Sequence, residues 1–453
     1  MKLMKVGTLS AALLLAACGS DDNGTETNNG TLVSRSVVET HFADLAHAMI
    51  SDSLEAAESL LAAVNALTDG DATESELLSA KQAYEQLRLP YQQFEITRFD
   101  AENNHVTDAA SGGPSEITSV DDWEGQVNAW PLDEALIDYV NAGSYTGNYV
   151  DNSESLNIIN ATPSTMVDGI DIGTSPITKE FLISLNEING SEANVATGIH
   201  AIEFLLWGQD TSTGEGNLGA GERPATDFDT DECTNNNCVR RAEYLKVVTE
   251  LLVDDLTAME AQWDASTEGV TLRSDYLNRG DGLERILDSM GDMAIGELRS
   301  ERMGVAVRFD STEDEHDCFS DLTHIAIYGN ALGVVNAYFG TYERLDGTYM
   351  TGPSLSDLVF QNDIQADLNL RSLLTTVQNE MQDIVNVAND GKTFDMLIGS
   401  DDESIVQEAM DALAALNEPF SEDIGNALNV AVAEIDQGTC PIGSVADDSC
   451  SAE

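Results

Sequence analysis

Between residues 36 and 68, Phe42, Leu45, Met49, Leu54, Leu60, Leu61, Val64 and Leu67 recur largely at three- and four-residue steps. That spacing lays apolar side chains along one face of an α-helix. The same period predicts helices over 72–100, 131–142, 177–207, 239–262, 277–308, 321–344, 355–389 and 402–436. Stretches where Val, Ile and Thr alternate with polar residues, as a half-buried strand requires, are scarce. Segments 101–128, 143–176 and 208–238 are rich in Gly, Asn, Ser and Asp and read as loops. The expected class is all-α.

Two stretches resemble each other. YEQLRLPYQQFEITRFD (84–100) and IGELRSERMGVAVRFD (295–310) each carry Leu-Arg and end in Arg-Phe-Asp. Each follows a long amphipathic helix, which fits two tandem four-helix-bundle-like domains in one chain. The expected division is an N-terminal bundle over 31–210, a connector at 211–238, a C-terminal bundle over 239–436 and a tail at 437–453.

The N-terminus reads as a targeting segment. Lys2 and Lys5 precede a short apolar run, Leu9 to Ala17, and Leu15-Ala16-Ala17-Cys18 resembles a bacterial lipobox. This predicts a signal peptide over 1–17, acylation at Cys18 and a polar tether over 18–30. Membrane attachment would be through that lipid, and the absence of Asp after Cys18 points to the outer membrane. An exported chain favours disulfides, and Cys233 with Cys238, and Cys440 with Cys450, are spaced for two local bridges, leaving Cys318 over.

The chain has 81 acidic and 20 basic residues, a net charge of −61 over 453 residues. Such a field repels phosphate, which excludes nucleic acid as a partner. The acid excess suits a salty medium and also collects cations diffusely.

Within TGIHAIEFLLWGQD, His200 and Glu203 are i and i+3 on an apolar helix, so they can converge on one cation or on each other. Gly198 permits close backbone approach. HExxH and HxxEH zinc motifs both fail, since Phe204 follows the glutamate. Arg88, Tyr91 and Glu95 form one stripe on another apolar helix, where a carboxylate and a guanidinium commonly pair. Glu297, Arg299, Glu301 and Arg302 read as an ion-pair network. His316 and His324 flank Cys318 in EHDCFSDLTH, ligand types that suit a metal cluster at a spacing that matches no standard site, so the stretch reads first as a packed helix start that includes Asp321. DFDTDE (227–232) alternates Asp like a fragment of a calcium loop but lacks the glycine and distal glutamate of an EF-hand.

Taken together, these motifs resemble the imelysin-like family. GIHAIEFLLWG (198–208) is similar to its GxHxxE signature, AWPLDEALIDYV (129–140) to its Trp-Pro helix, and RLPYQQFEITRF (88–99) to its Arg-Pro-aromatic helix. GAGERPATDF, RRAEYL and CFSDLTH resemble the branch typified by iron-regulated protein A. The resemblance implies two helical bundles with the GxHxxE residues near their junction, and bacterial iron acquisition as the setting. It also carries a metallopeptidase label. The implied site has His200 and Glu203 as metal ligands, Glu95 as a third and Arg88, Tyr91 and Gly198 as supports, with no catalytic residue assigned. Iron is the implied ion, with zinc and calcium as alternatives. The implied partners are a metal ion or iron complex and a membrane iron transporter. The competing functions are a metal-dependent peptidase and a non-catalytic module that binds a protein or haem.

Overall fold

A computed structural model describes residues 32–98, 120–140, 156–159, 166–167, 169–210, 219–312, 314–445 and 450. Among the described residues, the helices that frame the site are α1 (Arg35–Leu67), α2 (Glu74–Phe94), α3 (Gly198–Trp207), α4 (Cys238–Trp263), α5 (Thr323–Phe339), α6 (Ile364–Asn389) and α7 (Ser404–Ala414). The predicted signal peptide, Cys18 and nearly all of the tether lie outside the described residues. Among the described residues, no helix is long and apolar enough to cross a membrane.

Helix α1 packs against α2 and α4, α2 packs against α5, and α5 against α6, which in turn meets α7. The helix 238–263 thus lies on the helices of the first half, while α5, α6 and α7 build the second. The apolar stripe read from 36–68 is the buried face of α1, and Leu60, Val64 and Leu67 have no exposed surface. Each such fully buried apolar side chain contributes roughly 1.5–3 kcal/mol. A Thr73–Glu76 capping box starts α2, satisfying two of its unpaired N–H groups. Helix α5 carries Gly329 and Gly333 against α2. A Cβ at 329 would stand 2.7 Å from the Gln92 Cβ, and one at 333 would stand 2.8 Å from the Gln93 carbonyl. These two glycines let the backbones of the two halves approach.

Several predicted helices are interrupted, each for a local reason. Helix 355–389 breaks at Asp363, whose side chain turns to accept from the Gln365 and Ala366 N–H groups and caps α6. The stretch 177–207 breaks where Glu187 and Asn189 adopt left-handed φ of 56° and 64°. The Trp-Pro helix shrinks to Glu134–Ile137. Its successor Asp138 is drawn into a buried cluster, 2.6 and 3.0 Å from Arg241 and 2.7 Å from Arg223. The span 277–308 starts earlier, at Leu272 after a Thr271 capping box, breaks at Gly280, and from Asp292 to Gly304 is a π-helix. The two stretches that resemble each other therefore fold differently, one as α then 3₁₀ and the other as π then α.

Other differences are additions and an early end. Residues 120–127, within a predicted loop, form a helix, and 402–436 stays helical only to Leu428. Short antiparallel pairs, β1 (Met166–Val167) with β2 (Ile170–Asp171) and β3 (Thr341–Glu343) with β4 (Tyr349–Thr351), were not foreseen. Both expected disulfides form, and Cys318 lies buried outside them.

Helix α3 opens at Gly198 with φ +84°, where a Cβ would overlap the Val127 carbonyl. Gly198→Ala should therefore lower stability by roughly 1–3 kcal/mol through backbone strain alone. The check is the midpoint of urea unfolding. An unchanged midpoint would mean that the α3 start relaxes at no cost.

Candidate functional site

Helix α3 is apolar on every face, and all ten of its residues are buried. Its two polar side chains therefore face partners rather than water. His200 Nδ1 lies 2.9 Å from Glu203 Oε2, across one helical turn. The other Glu203 oxygen accepts from Ser320, at 3.0 Å from its N–H and 2.6 Å from its hydroxyl. The His200 Nε2 atom has no hydrogen-bonding partner.

The facing wall comes from the 315–322 segment before α5, and a buried ion pair holds it there. Arg88 on α2 and Asp317 have no exposed side-chain surface. Arg88 Nε lies 2.6 Å from Asp317 Oδ1, bent off the hydrogen-bond line, and Nη2 donates to Oδ2 at 2.9 Å. Arg88 also donates to Asn128 at 3.0 Å. His316 Nδ1 lies 2.9 Å from Asp317 and 3.2 Å from Arg88. Its ring stands edge-on to that of His200, centroids 4.9 Å apart, with Trp130 at 5.5 Å. His200, Glu203 and Asp317 each offer a ligand atom, all within 4.8 Å of one another.

Glu95 lies one shell away. Arg302 from the π-helix donates to its two oxygens at 2.7 and 3.1 Å, and Asn330 and Asn128 donate at 2.8 and 3.2 Å. Of the expected ion-pair network, Glu297 lies 3.2 Å from both Arg302 and Arg98, while Arg299 donates to the Cys440 carbonyl and Glu301 accepts from Thr439. Glu297 and Arg302 are five residues apart, which the π turn brings onto one face. Arg88 and Glu95 thus share a stripe but each pairs elsewhere. Tyr91 packs against Trp123. Tyr84, one turn before Arg88, places its hydroxyl beside Glu203. The DFDTDE carboxylates do not converge, since Asp227 is taken by Arg223, Tyr139, Thr234 and Asn235.

Burial, reinforced by Arg88, lowers His200 to about 3. Burial, reinforced by Asp317, raises Glu203 to about 8. At neutral pH their contact is therefore a hydrogen bond between a neutral imidazole and a carboxylic acid, not an ion pair. Burial and Arg302 lower His316 to about 3. Burial alone would raise Glu95, but Arg302 brings it to about 2. Burial likewise opposes ionisation of Asp317, and Arg88 overrides it, holding the carboxyl far below its usual range.

A family model described as Imelysin, under a peptidase label, matches residues 46–420. The chain belongs to the imelysin family. A crystal structure described as an iron-regulated protein A precursor from Parabacteroides distasonis superposes with a TM-score of 0.54 at 17% identity, covering 88% of this chain and 97% of that one. An imelysin-like protein from Psychrobacter arcticum gives 0.48 at 14%, covering 88% and 98%. No curated protein matches the chain. At these identities the likeness to iron-regulated protein A shows a shared helical fold.

Sequence reasoning singled out His200, Glu203, Arg88 and Gly198, and the structure brings the first three around one point with Gly198 at the helix start. It missed Asp317 and passed over His316 as part of a helix start, although both stood in EHDCFSDLTH. The readable signal was a His-Asp dipeptide beside an apolar run, with an unmatched Arg88 elsewhere.

Two predictions follow from these charges. Removing one partner of a buried ion pair strands the other, so Arg88→Met should cost roughly 3–5 kcal/mol in urea unfolding. Arg88→Met with Asp317→Leu should recover most of that loss. Recovery failing entirely would mean that the pair is bypassed by its other contacts.

The second concerns pH. Glu203 and Asp321 are raised to about 8 and Asp255 to about 7, each by burial first. Each carboxyl favours the fold fully below its unfolded value and loses that contribution as pH rises through its folded one. His200 and His316 at about 3, and His324 at about 4, act oppositely, but only below their ordinary 6.5. Between pH 6.5 and 8 these carboxyls outweigh Lys81, which burial lowers to about 8 and which acts oppositely near the top of that range. The metal-free protein should lose stability there, by roughly 1 kcal/mol per such group per pH unit. Glu203→Gln should flatten the slope, read from melting temperature against pH, and a slope unchanged by that substitution would remove Glu203 from the account.

Proposed function

We propose that this chain binds an iron ion, or a small iron-bearing ligand, at the His200–Glu203–Asp317 group and serves bacterial iron uptake from the cell envelope. The observation that carries the reading is the convergence of one buried imidazole and two buried carboxylates where His200 Nε2 lacks a partner. Imidazole with carboxylate suits iron and zinc, and His316, edge-on to His200, adds a nearby second imidazole. Arg88 would fix Asp317, and Ser320 would orient Glu203, as outer partners of metal ligands do. Glu95 would act through Arg302 rather than by contact with the ion. The setting follows the family and the iron-regulated protein A neighbour. The lipid anchor at Cys18, the outer-membrane location and a transporter as recipient are parts of the same proposal.

Binding is favoured over peptide cleavage because His200 is 1% exposed and Glu203 is 0% exposed, so an extended peptide has no open approach to them. A catalytic metal keeps an open position for water and substrate. Glu203 must lose its proton to ligate, so metal uptake releases protons and affinity should strengthen as pH rises from 6.5 toward 8.5.

The test is bound iron by mass spectrometry, on the wild type and on His200→Ala with Glu203→Ala. One equivalent in the wild type and none in a folded variant is expected, with wild-type binding weaker at pH 6.5 than at pH 8.5. Equal loose iron in both proteins would assign the metal to the acidic surface and leave the His–Glu pair a structural contact.

A further inference from the structure

We propose that Glu315, Asp321 and Asp395 form a second cation site, one that takes a hard divalent ion of the calcium class and stands apart from the His200–Glu203 group. Glu315 and Asp321 come from the segment before α5, and Asp395 comes from the short helix Phe394–Leu397. They are 0%, 7% and 1% exposed. One oxygen from each lies within 4.8 Å of the other two.

Several other buried carboxylates meet a guanidinium, while Glu203 is bonded by His200 and Ser320 and Asp255 by Gln126. Asp138 has Arg223 and Arg241, Asp317 has Arg88, Glu95 has Arg302, Asp52 has Arg344 and Asp367 has Arg371. This group differs. Glu315 Oε1 and Oε2, Asp321 Oδ1 and Asp395 Oδ2 are buried without a hydrogen-bonding partner. The other Asp395 oxygen accepts from the Thr393 hydroxyl at 2.5 Å. The Thr323 hydroxyl and the Ala220 backbone face Glu315 and Asp321. The charges acting most strongly are all carboxylates, Asp395, Asp321 and Asp210 on Glu315 and Asp395, Asp210 and Glu203 on Asp321, with no arginine or lysine among them. Taking several carboxylates out of water without a counter-charge costs several kcal/mol each, and one central cation removes that cost for all three.

The donor set selects the ion. Oxygen-only ligands suit magnesium, calcium and manganese, whereas zinc and copper prefer nitrogen and sulfur. Oxygens about 2.4 Å from a calcium ion stand at most about 4.8 Å apart, so three oxygens that all lie within 4.8 Å of one another can share one ion. Magnesium, with ligands near 2.1 Å, demands a tighter cage. The bound ion would clamp the segment carrying His316 and Asp317 to the 394–397 turn, so the two sites share one segment without sharing a ligand. The inference does not depend on which ion His200 takes.

The experiment loads the full-length chain with calcium after chelator stripping, at about 0.15 M salt so that the diffuse acidic surface is screened, and counts calcium retained after buffer exchange. One equivalent is expected, with a melting temperature several degrees above the stripped protein. Asp395→Asn and Glu315→Gln should each abolish both effects, while His200→Ala should keep them. No retained calcium in the wild type overturns the proposal, as does calcium retained equally by a folded Asp395→Asn. Loss of calcium in a folded His200→Ala also overturns it, by moving the ion to the other site. If neither carboxyl variant folds, retention by the wild type and His200→Ala together decides the matter, present in favour and absent against.

Discussion

The ion pair between Arg88 and Asp317 is the contact on which the site's geometry depends. Residues 315–322 contain no helix, so their own hydrogen bonds cannot place them. They are positioned because Asp317, with no exposed surface, must keep a guanidinium beside it. That guanidinium stands on α2, a helix buried along its second half and seated on α1 and α5. One charge pair thus aligns α2 with the segment that faces α3, and Asn128 on the same guanidinium adds the turn after helix 120–127. A buried pair of this kind is close to neutral in net stability. Its contribution is position, since it sets His316 edge-on to His200 and leaves Asp317 within ligand range of Glu203.

Charge economy explains what lies around it. With 20 basic residues for 81 acidic ones, the chain spends several of its arginines indoors, on Asp138, Asp317 and Glu95. The surface is left acidic, tolerable where salt screens it. The interior still holds more carboxylates than guanidiniums. Glu203, Asp255 and the Glu315 group therefore stand as weak acids rather than as ions.

The parts of this arrangement legible in the sequence are those with local signals. The period of three and four residues placed α1, α4, α5 and α6 because one apolar stripe per helix is a property of each segment alone. GxHxxE was legible for the same reason, a short spacing on one helix. The rest was hidden by partners far apart in sequence. Nothing near Asp317 announces Arg88, 229 residues away, and a His-Asp pair without a visible counter-charge reads as a helix start. The π-helix was hidden too. Its composition is that of an α-helix, and the wider turn is fixed by tertiary demand, Arg302 reaching both Glu95 and Glu297. The break at Asp138 is likewise decided by Arg223 and Arg241, not by the helix it ends.

The neutral His–Glu pair bears on what such a site can do. In a zinc peptidase the glutamate of HExxH stays outside the ligand set and works on water in an open position. Here the glutamate is one turn from the histidine, bonded to it and to Ser320, inside a helix with no exposed residue. On the proposed reading, a cation entering here would displace the proton of Glu203 and meet Asp317, which Arg88 keeps ionised. The proposed site would thereby hold one ligand permanently charged and one conditionally charged. Such a pairing would tie affinity to pH and would suit capture and release of an ion better than repeated turnover at it.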